Sequence, residues 1–321
     1  MLTPSFNGKQ PLNNISIFDI RRKLAALENI NFSKLSDEQI AYRIRSLVDD
    51  YPWQLRRLEL SGIYRARKNP DGTIYEHAKQ LWYPDASFVK RPGRLNRSGQ
   101  ARLYAANMPN TAIYEQKLEV GQTYTVLLAG TRSGRIETLK NTLFIGIERS
   151  LAPEIASLTD SDIFRRSQGF RQSLGESGYK KWLLIDDFLS GILGKRIDED
   201  QEEQYRLTIA LADLLFSMPD LDLISYPSVA TASHGINVCM TPEKADQLFM
   251  PVEAWIMSID GTAKHPTTGE ILHSIRFLRR SKMISLSGDI DWLPSGQGIS
   301  TEEINRFVRG RIQTLSNAPS A

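Results

Sequence analysis

One short stretch of the chain combines residue types that suit the chemistry of a nucleotide. The turn Arg94-Leu95-Asn96-Arg97 carries two cations and an amide, and the short predicted strand at residues 102–106 carries Tyr104. A single carboxylate, Glu115, follows shortly afterwards. Guanidinium groups bind phosphate oxygens in pairs, and an aromatic face stacks on flat rings. These residues therefore indicate a site for a nucleotide that contains a labile bond.

A second pair of arginines lies on an earlier predicted strand at residues 62–67. Side chains alternate between the two faces of a strand, so Arg65 and Arg67 should point to the same side. Two guanidinium forks on one face match the oxygens of a diphosphate. The alternative is a pair of solvated arginines on an edge strand. The basic stretch 90–99 likewise fits either an exposed loop or a nucleic-acid contact.

Glu115 and Ser228 can each have a purely structural role as an alternative to a functional one. Glu115 follows Pro109-Asn110, a sequence that predicts the start of a short helix, and an acid in a first helical turn often only compensates the helix dipole. Ser228 lies just beyond the predicted strand 221–226, where a loop serine commonly caps backbone groups. The sequence around Ser228 lacks a nucleophile elbow, which argues against a serine hydrolase.

Composition narrows the class of protein and its partners. The 321 residues carry 40 basic and 37 acidic side chains, a net charge of +3 that does not indicate a dedicated nucleic-acid binder. The single cysteine, Cys239, rules out an internal disulfide, and the four histidines do not have the spacing of metal ligands. The sequence contains neither a signal peptide nor an apolar run of membrane-spanning length. We therefore expect a soluble cytoplasmic protein without a bound metal or a membrane contact.

Helical periodicity is clearest near the two ends of the chain. Residues 17–30 predict an amphipathic helix with Phe18, Ile20, Leu24 and Leu27 near one face. A second helix begins at Ser36, and Gln39 completes a capping box. Residues 160–217 are predicted to be largely helical. Ser300 with Glu303 is predicted to cap a last helix, with its apolar side at Ile304, Phe307, Val308, Ile312 and Leu315.

The remaining pattern predicts strands that do not alternate strictly with helices. Strand candidates are residues 62–67, 102–106, 122–129, 221–226, 236–240, 252–259, 271–278 and 282–286, with Asp260-Gly261 as a hairpin turn. This order favours an α+β fold with a mixed sheet over a doubly wound parallel sheet. We divide the chain into a helical N-terminal extension (1–55), a catalytic domain (56–262) and C-terminal strands with a helix (263–321).

Taken in order, these segments resemble the RES-domain family. That family combines an early arginine strand, a Gly-Arg-aromatic-Asn turn, a Leu-Tyr strand, a glutamate, a helical stretch, Tyr-Pro-Ser and Gly-x-Asn-Val. The matches over roughly residues 60–260 are Arg65 or Arg67, Gly93-Arg94-Leu95-Asn96, Leu103-Tyr104, Glu115, Tyr226-Pro227-Ser228 and Gly235-Ile236-Asn237-Val238. Leu95 departs from the family pattern, because an aromatic residue is common at this position.

The resemblance implies an ADP-ribosyltransferase-like fold and consumption of NAD⁺ as substrate. It assigns catalytic roles to Arg65, Glu115 and Ser228, while Tyr104 or Tyr64 stacks on a ring of the substrate. Family members are typically bacterial toxins held in check by an antitoxin protein. The residues implied to bind NAD⁺ are Arg67, Arg94, Asn96, Tyr104 and Asn237.

We therefore expect an NAD⁺-degrading enzyme, either a glycohydrolase or a phosphorylase, that cleaves the nicotinamide–ribose bond. Transfer of ADP-ribose to a macromolecule is one alternative, and a non-catalytic nucleic-acid-binding module that uses the basic loop is another. Water, phosphate and a macromolecule all stay open as acceptors.

Overall fold

The structure, a computed structural model, describes residues 12, 14–146, 161–195, 197, 199–228, 235–264 and 271–309. It confirms the predicted mixed α+β architecture. The described α-helices are α1 (Ile17–Glu28), α2 (Asp37–Val48), α3 (Pro109–Tyr114), α4 (Ser161–Gly194), α5 (Tyr205–Phe216), α6 (Pro242–Leu248) and α7 (Thr301–Arg309). The described strands are β1 (Gln54–Leu60), β2 (Gly62–Lys68), β3 (Leu103–Ala106), β4 (Thr123–Thr131), β5 (Glu137–Phe144), β6 (Leu223–Pro227), β7 (Ile236–Met240), β8 (Phe249–Lys264), β9 (Ile271–Ile284) and β10 (Ile290–Trp292).

All ten strands belong to one sheet with the order β1-β5-β6-β7-β3-β2-β4-β8-β9-β10. Neighbouring strands are antiparallel except for β5 and β6, which run parallel. Strand pairing is sparsest in the middle of the sheet, where β2 and β3 pair at a single position, Tyr64 with Ala106. Elsewhere β2 pairs along its whole length with β4. The two central strands therefore diverge and leave room for a cleft between them.

A layer of helices covers the half of the sheet that contains β5, β6 and β7. Leu24 of α1, Ile44 of α2, Trp182 of α4 and Leu211 of α5 share one buried cluster. The predicted capping box of α2 is present, because Ser36 and Gln39 satisfy each other's backbone N–H groups. The N-terminal helices α1 and α2 therefore bury their apolar stripes in the same core as α4 and α5.

The C-terminal helix α7 packs on the other half of the sheet. Phe307 is buried, and its ring lies within 6.1 Å, centroid to centroid, of the rings of Tyr64, Trp255 and Phe277. Glu253 of β8, also buried, accepts hydrogen bonds from Arg306 of α7 and from Arg280 of β9. This contact joins the last helix to the strands that precede it.

Several sequence predictions were wrong in detail. Strands β1 and β5 were not predicted, and Phe18, placed on the apolar face of α1, is 73% exposed. Asp260-Gly261 does not form a hairpin turn, because β8 continues to Lys264 and carries a register shift between Ile259 and Gly261. Residues 271–278 and 282–286 were predicted as two strands. The structure has one bulged strand, β9, which includes both segments up to its end at Ile284.

Ile312 and Leu315 of the predicted last helix lie outside the described residues, as do two of the four histidines, His234 and His265. In the parts of the chain that the structure describes, no helix combines the length and the apolar character needed to cross a bilayer.

Two phenylalanines with opposite exposure test the packing of α7. We expect Phe307→Ala to lower the free energy of unfolding by about 3–5 kcal/mol, because it leaves a cavity among three aromatic rings. Phe18→Ala, the matched control at an exposed position, should change it by less than about 0.5 kcal/mol. Urea denaturation followed by circular dichroism measures both. Equal effects of the two substitutions would contradict the packing of α7 described above.

Candidate active site

A cleft of about 320 Å³ lies where β2 and β3 diverge. Its wall is built from distant parts of the chain, including β2, the turn at residue 94, β3, α3 and β7. Seven of the nine residues predicted from the sequence line it: Tyr64, Arg65, Arg67, Arg94, Tyr104, Glu115 and Asn237. Ser228 contacts one of them, Glu115. The structure therefore brings together groups that are far apart in the sequence.

The carboxylate of Glu115 is held by two hydrogen bonds to the same oxygen. Ser228 Oγ and Asn237 Nδ2 each donate to Oε1 at 2.6 Å. Both donors are buried, whereas Glu115 itself is exposed towards the cleft. In the described residues no hydrogen bond reaches Oε2. One oxygen thus fixes the orientation of the carboxylate, and the other is available to a ligand.

The position of Glu115 rules out a role as a simple dipole compensator. The sequence places this residue near the start of a helix, but in the structure it is the C-cap of α3, whose first residue is Pro109. The C-terminal end of a helix carries a partial negative charge, so an acid at this position is not stabilised by the dipole. The acid is instead stabilised by the hydroxyl and amide donors that converge on it.

A tight contact between two backbone segments sets the distance from Asn237 to Glu115. A β-carbon on residue 235 would lie 2.0 Å from Thr111 Oγ1, so only glycine allows this approach. Asn107 adds a second link, because its Oδ1 accepts from the N–H of Ile236 and its own N–H donates to the Ile236 carbonyl. The segment before β7 is therefore fixed against α3.

Three arginines outnumber the one acid of the cleft, Glu115, and give the cleft a net positive charge. Arg65 donates to the carbonyl of Tyr104, and Arg67 donates to the carbonyl of Gln80. Arg94 donates to the carbonyls of Leu193 and Lys195 at the end of α4. Within the described part of the chain, none of the three arginines pairs with an acid. Backbone carbonyls hold the guanidinium groups in place without neutralising them, which leaves their charge for an anion.

Burial affects the ionisation of the groups around the cleft. Burial, with a smaller contribution from the neighbouring Arg67, lowers the pKa of Arg65 to about 10, so the guanidinium still carries its charge at neutral pH. The buried Nε of Arg65 has no hydrogen-bond partner among the described residues. Burial raises the pKa of the Tyr104 hydroxyl well above its ordinary value and that of the Cys239 thiol to about 12. Cys239 is therefore not a thiolate nucleophile at neutral pH.

Asn96, predicted to bind the ligand, lies behind the cleft. It is buried, and its Oδ1 accepts a hydrogen bond from the Tyr104 hydroxyl at 2.7 Å while its Nδ2 donates to the Arg97 carbonyl. A β-carbon on Gly93 would lie 2.4 Å from Asn96 Oδ1, which explains the glycine at this turn. In this structure Asn96 positions the turn and the ring of Tyr104 and does not line the cleft.

Two cations of the basic loop at residues 90–102 are engaged within the protein. Arg97 forms ion pairs with Asp213 and Asp37, at 2.5 Å and 3.4 Å, and Arg91 pairs with Glu202 at 3.6 Å. These pairs tie the loop to the helical layer. Their charges are therefore partly neutralised where a nucleic-acid ligand would need them.

Sequence reasoning missed two residues of the cleft wall that carry polar groups. Gln116 lines the cleft next to Glu115, and Tyr226, quoted only as part of a motif, lines it from β6. The position of Gln116 directly after the carboxylate was the available signal. Among the described residues no cluster of histidine, cysteine, aspartate and glutamate could hold a metal ion. Comparison of the chain with protein-family models and with curated proteins finds no match.

The contact between Gly235 and Thr111 can be tested by adding one methyl group. Gly235→Ala should lower the free energy of unfolding by about 1–3 kcal/mol, because the new β-carbon overlaps the Thr111 side chain. Thr111→Ala in the same chain should restore part of the loss. Gly169→Ala is the control, since nothing lies within 4 Å of that position. Chemical denaturation measures all of these variants, and an additive double substitution would contradict the proposed overlap.

The charge of the cleft predicts that it binds an anion with two phosphate groups. Inorganic pyrophosphate should bind to the wild-type protein, and Arg65→Lys should bind it about tenfold more weakly or worse, because lysine keeps the charge but loses the bidentate fork. Arg57→Lys, at an exposed position of β1, should bind like the wild type. Calorimetric titration at fixed ionic strength measures the affinities. Equal affinities for all three proteins would contradict the assignment of the anion site.

Proposed function

We propose that the chain is an NAD⁺-degrading enzyme that cleaves the nicotinamide–ribose bond. The observation that carries the proposal is the arrangement of Glu115, fixed through one oxygen by Ser228 and Asn237, beside three arginines with no acid partner among the described residues. A carboxylate and a set of phosphate-binding cations in one cleft match the two charged parts of NAD⁺, the cationic nicotinamide on its ribose and the pyrophosphate.

The proposed bond cleavage needs only one carboxylate. An ordinary glycoside requires a general acid to protonate its leaving oxygen, so glycosidases usually carry two carboxyl groups. Nicotinamide is already cationic in NAD⁺ and leaves as a neutral molecule. The protein then has to stabilise the positive charge that develops on the ribose, and the free oxygen of Glu115 is suited to this task.

The other residues have supporting roles in this proposal. Arg65 and Arg67 bind the pyrophosphate, and Arg94, which also lines the cleft, adds a third positive charge. Tyr104 supplies an aromatic surface, with its hydroxyl engaged by Asn96 and by the N–H of Leu95. Ser228 and Asn237 orient the carboxylate, so Ser228 acts through Glu115 and not as a nucleophile. An acceptor, water or phosphate, then attacks the anomeric carbon.

The family and fold belong to the same proposal. The order of the motifs supports membership of the RES-domain family, and a sheet that opens between its two central strands supports an ADP-ribosyltransferase-like fold. Under this resemblance the enzyme is a cytoplasmic bacterial toxin with a cognate antitoxin as partner. The ion pairs of Arg91 and Arg97 argue against a nucleic-acid-binding module, because they partly neutralise two cations of the basic loop.

The role of Glu115 predicts a large and specific loss of activity. Glu115→Gln should lower the rate of nicotinamide release from NAD⁺ by about 10²–10³, the usual cost of losing one charge-stabilising group. Glu119→Gln is the matched control, because Glu119 is exposed and pairs with Lys68. Chromatographic quantification of nicotinamide gives both rates. Wild-type turnover by Glu115→Gln would contradict the proposal.

The same reaction also separates the acceptors. Mass spectrometry of the products with and without phosphate distinguishes free ADP-ribose from its phosphorylated form. If ADP-ribose stays attached to a protein or nucleic acid instead, the chain is a transferase acting on a macromolecule.

A further inference from the structure

A second, larger depression lies among the helices and is separate from the cleft. This groove, lined by α1, α4, α5 and the segments that flank them, has a volume of about 970 Å³. Its floor is apolar: Leu24, Leu27, Phe188 and Leu207 are buried there. Ile192 of α4 is only partly buried and also faces the groove. The groove therefore exposes apolar surface between packed helices.

The rim of the groove is predominantly acidic. Glu28, Asp187 and Glu203 lie along it, all three exposed, whereas Lys195 is the one cation among the described residues that line it. Gln201 and Gln204 add neutral hydrogen-bonding groups. This local charge is opposite to that of the whole chain, which carries a net charge of +3. A ligand that matches the groove needs an apolar face flanked by positive charges.

We propose that this groove is a docking surface for a basic amphipathic helix of a partner protein. A helix is ~10 Å wide and rises ~1.5 Å per residue, so a peptide of ~16 residues is about 24 Å long and is a suitable occupant to test. A helix of that length presents apolar side chains at i, i+3, i+4 and i+7 to the floor. Lysine and arginine at the edges of that face reach the carboxylates on the rim.

The charge of the rim distinguishes this occupant from others. An uncharged apolar ligand would gain nothing from three carboxylates, and an acidic helix would be repelled by them. A second copy of this chain would also have to bring a basic amphipathic helix. The proposal is independent of the proposed enzymatic activity, because docking can be measured without turnover.

The experiment uses a fluorescent peptide of about 16 residues with leucines at helical spacing and lysines elsewhere. We expect it to bind to the full chain and to lose about tenfold in affinity with Glu28→Lys/Glu203→Lys, which reverses two rim charges. The matched control, Glu59→Lys/Glu302→Lys, reverses two exposed charges outside the groove and should bind like the wild type. Fluorescence anisotropy gives the affinities, and circular dichroism verifies that both variants are folded.

Hydrogen–deuterium exchange then locates the peptide. Protection of residues 24–32, 184–195 and 201–208 is the expected result, and protection confined to the cleft would overturn the proposal. If both double variants lose the same affinity for the peptide, the binding is a general attraction between opposite charges, and the proposal is also overturned. So would tight binding of a peptide with glutamates in place of the lysines. If light scattering finds a dimer that Glu28→Lys/Glu203→Lys dissociates, the groove is an interface between copies of this chain and the proposal fails.

Discussion

Two hydrogen bonds to a single carboxylate oxygen hold the candidate site together. Ser228 and Asn237 come from the two sides of a connection between neighbouring strands, and Glu115 comes from the end of a short helix more than a hundred residues earlier in the sequence. A hydrogen bond to a charged group is stronger than one between neutral groups. The pair therefore fixes the acid and at the same time joins β6 and β7 to α3. The contacts of Gly235 with Thr111 and of Ile236 with Asn107 support the same junction.

The positively charged side chains of the cleft are held in a different way. Its arginines bond to backbone carbonyls, and such contacts fix a guanidinium group without cancelling its charge. Burial disfavours a cation, as the lowered pKa of Arg65 indicates. Holding these cations at the cleft therefore carries an electrostatic cost that an anionic ligand would relieve. Such local destabilisation is common where a protein keeps a group ready for binding.

Local patterns in the sequence were enough to predict most helices and several strands. Ser36 and Gln39 define the start of α2 by hydrogen bonds within one turn, and β7 has the predicted bounds, Ile236–Met240. Strands β1 and β5 could not be predicted in this way, because both mix leucines with polar or charged residues. They depend on pairing with distant strands, as Leu143 does with Leu55 and Ile224.

The candidate site was predictable in part, because the order of the motifs identified Arg65, Glu115, Ser228 and Asn237 without any knowledge of their distances. Asn96 was harder to interpret, since an asparagine in a basic turn reads alike whether it faces a ligand or a neighbouring tyrosine. Only the hydrogen bond from Tyr104 distinguishes the two roles.

The anchoring of Arg94 has a consequence for heat resistance. One of its two carbonyl partners, that of Lys195, lies in an exposed segment just beyond the last turn of α4, whereas the other belongs to the fully buried Leu193. Exposed segments open at a lower free energy than the core, so warming would first loosen the contact with Lys195. Under the proposed function, part of the affinity for an anion would then be lost while the sheet is still intact.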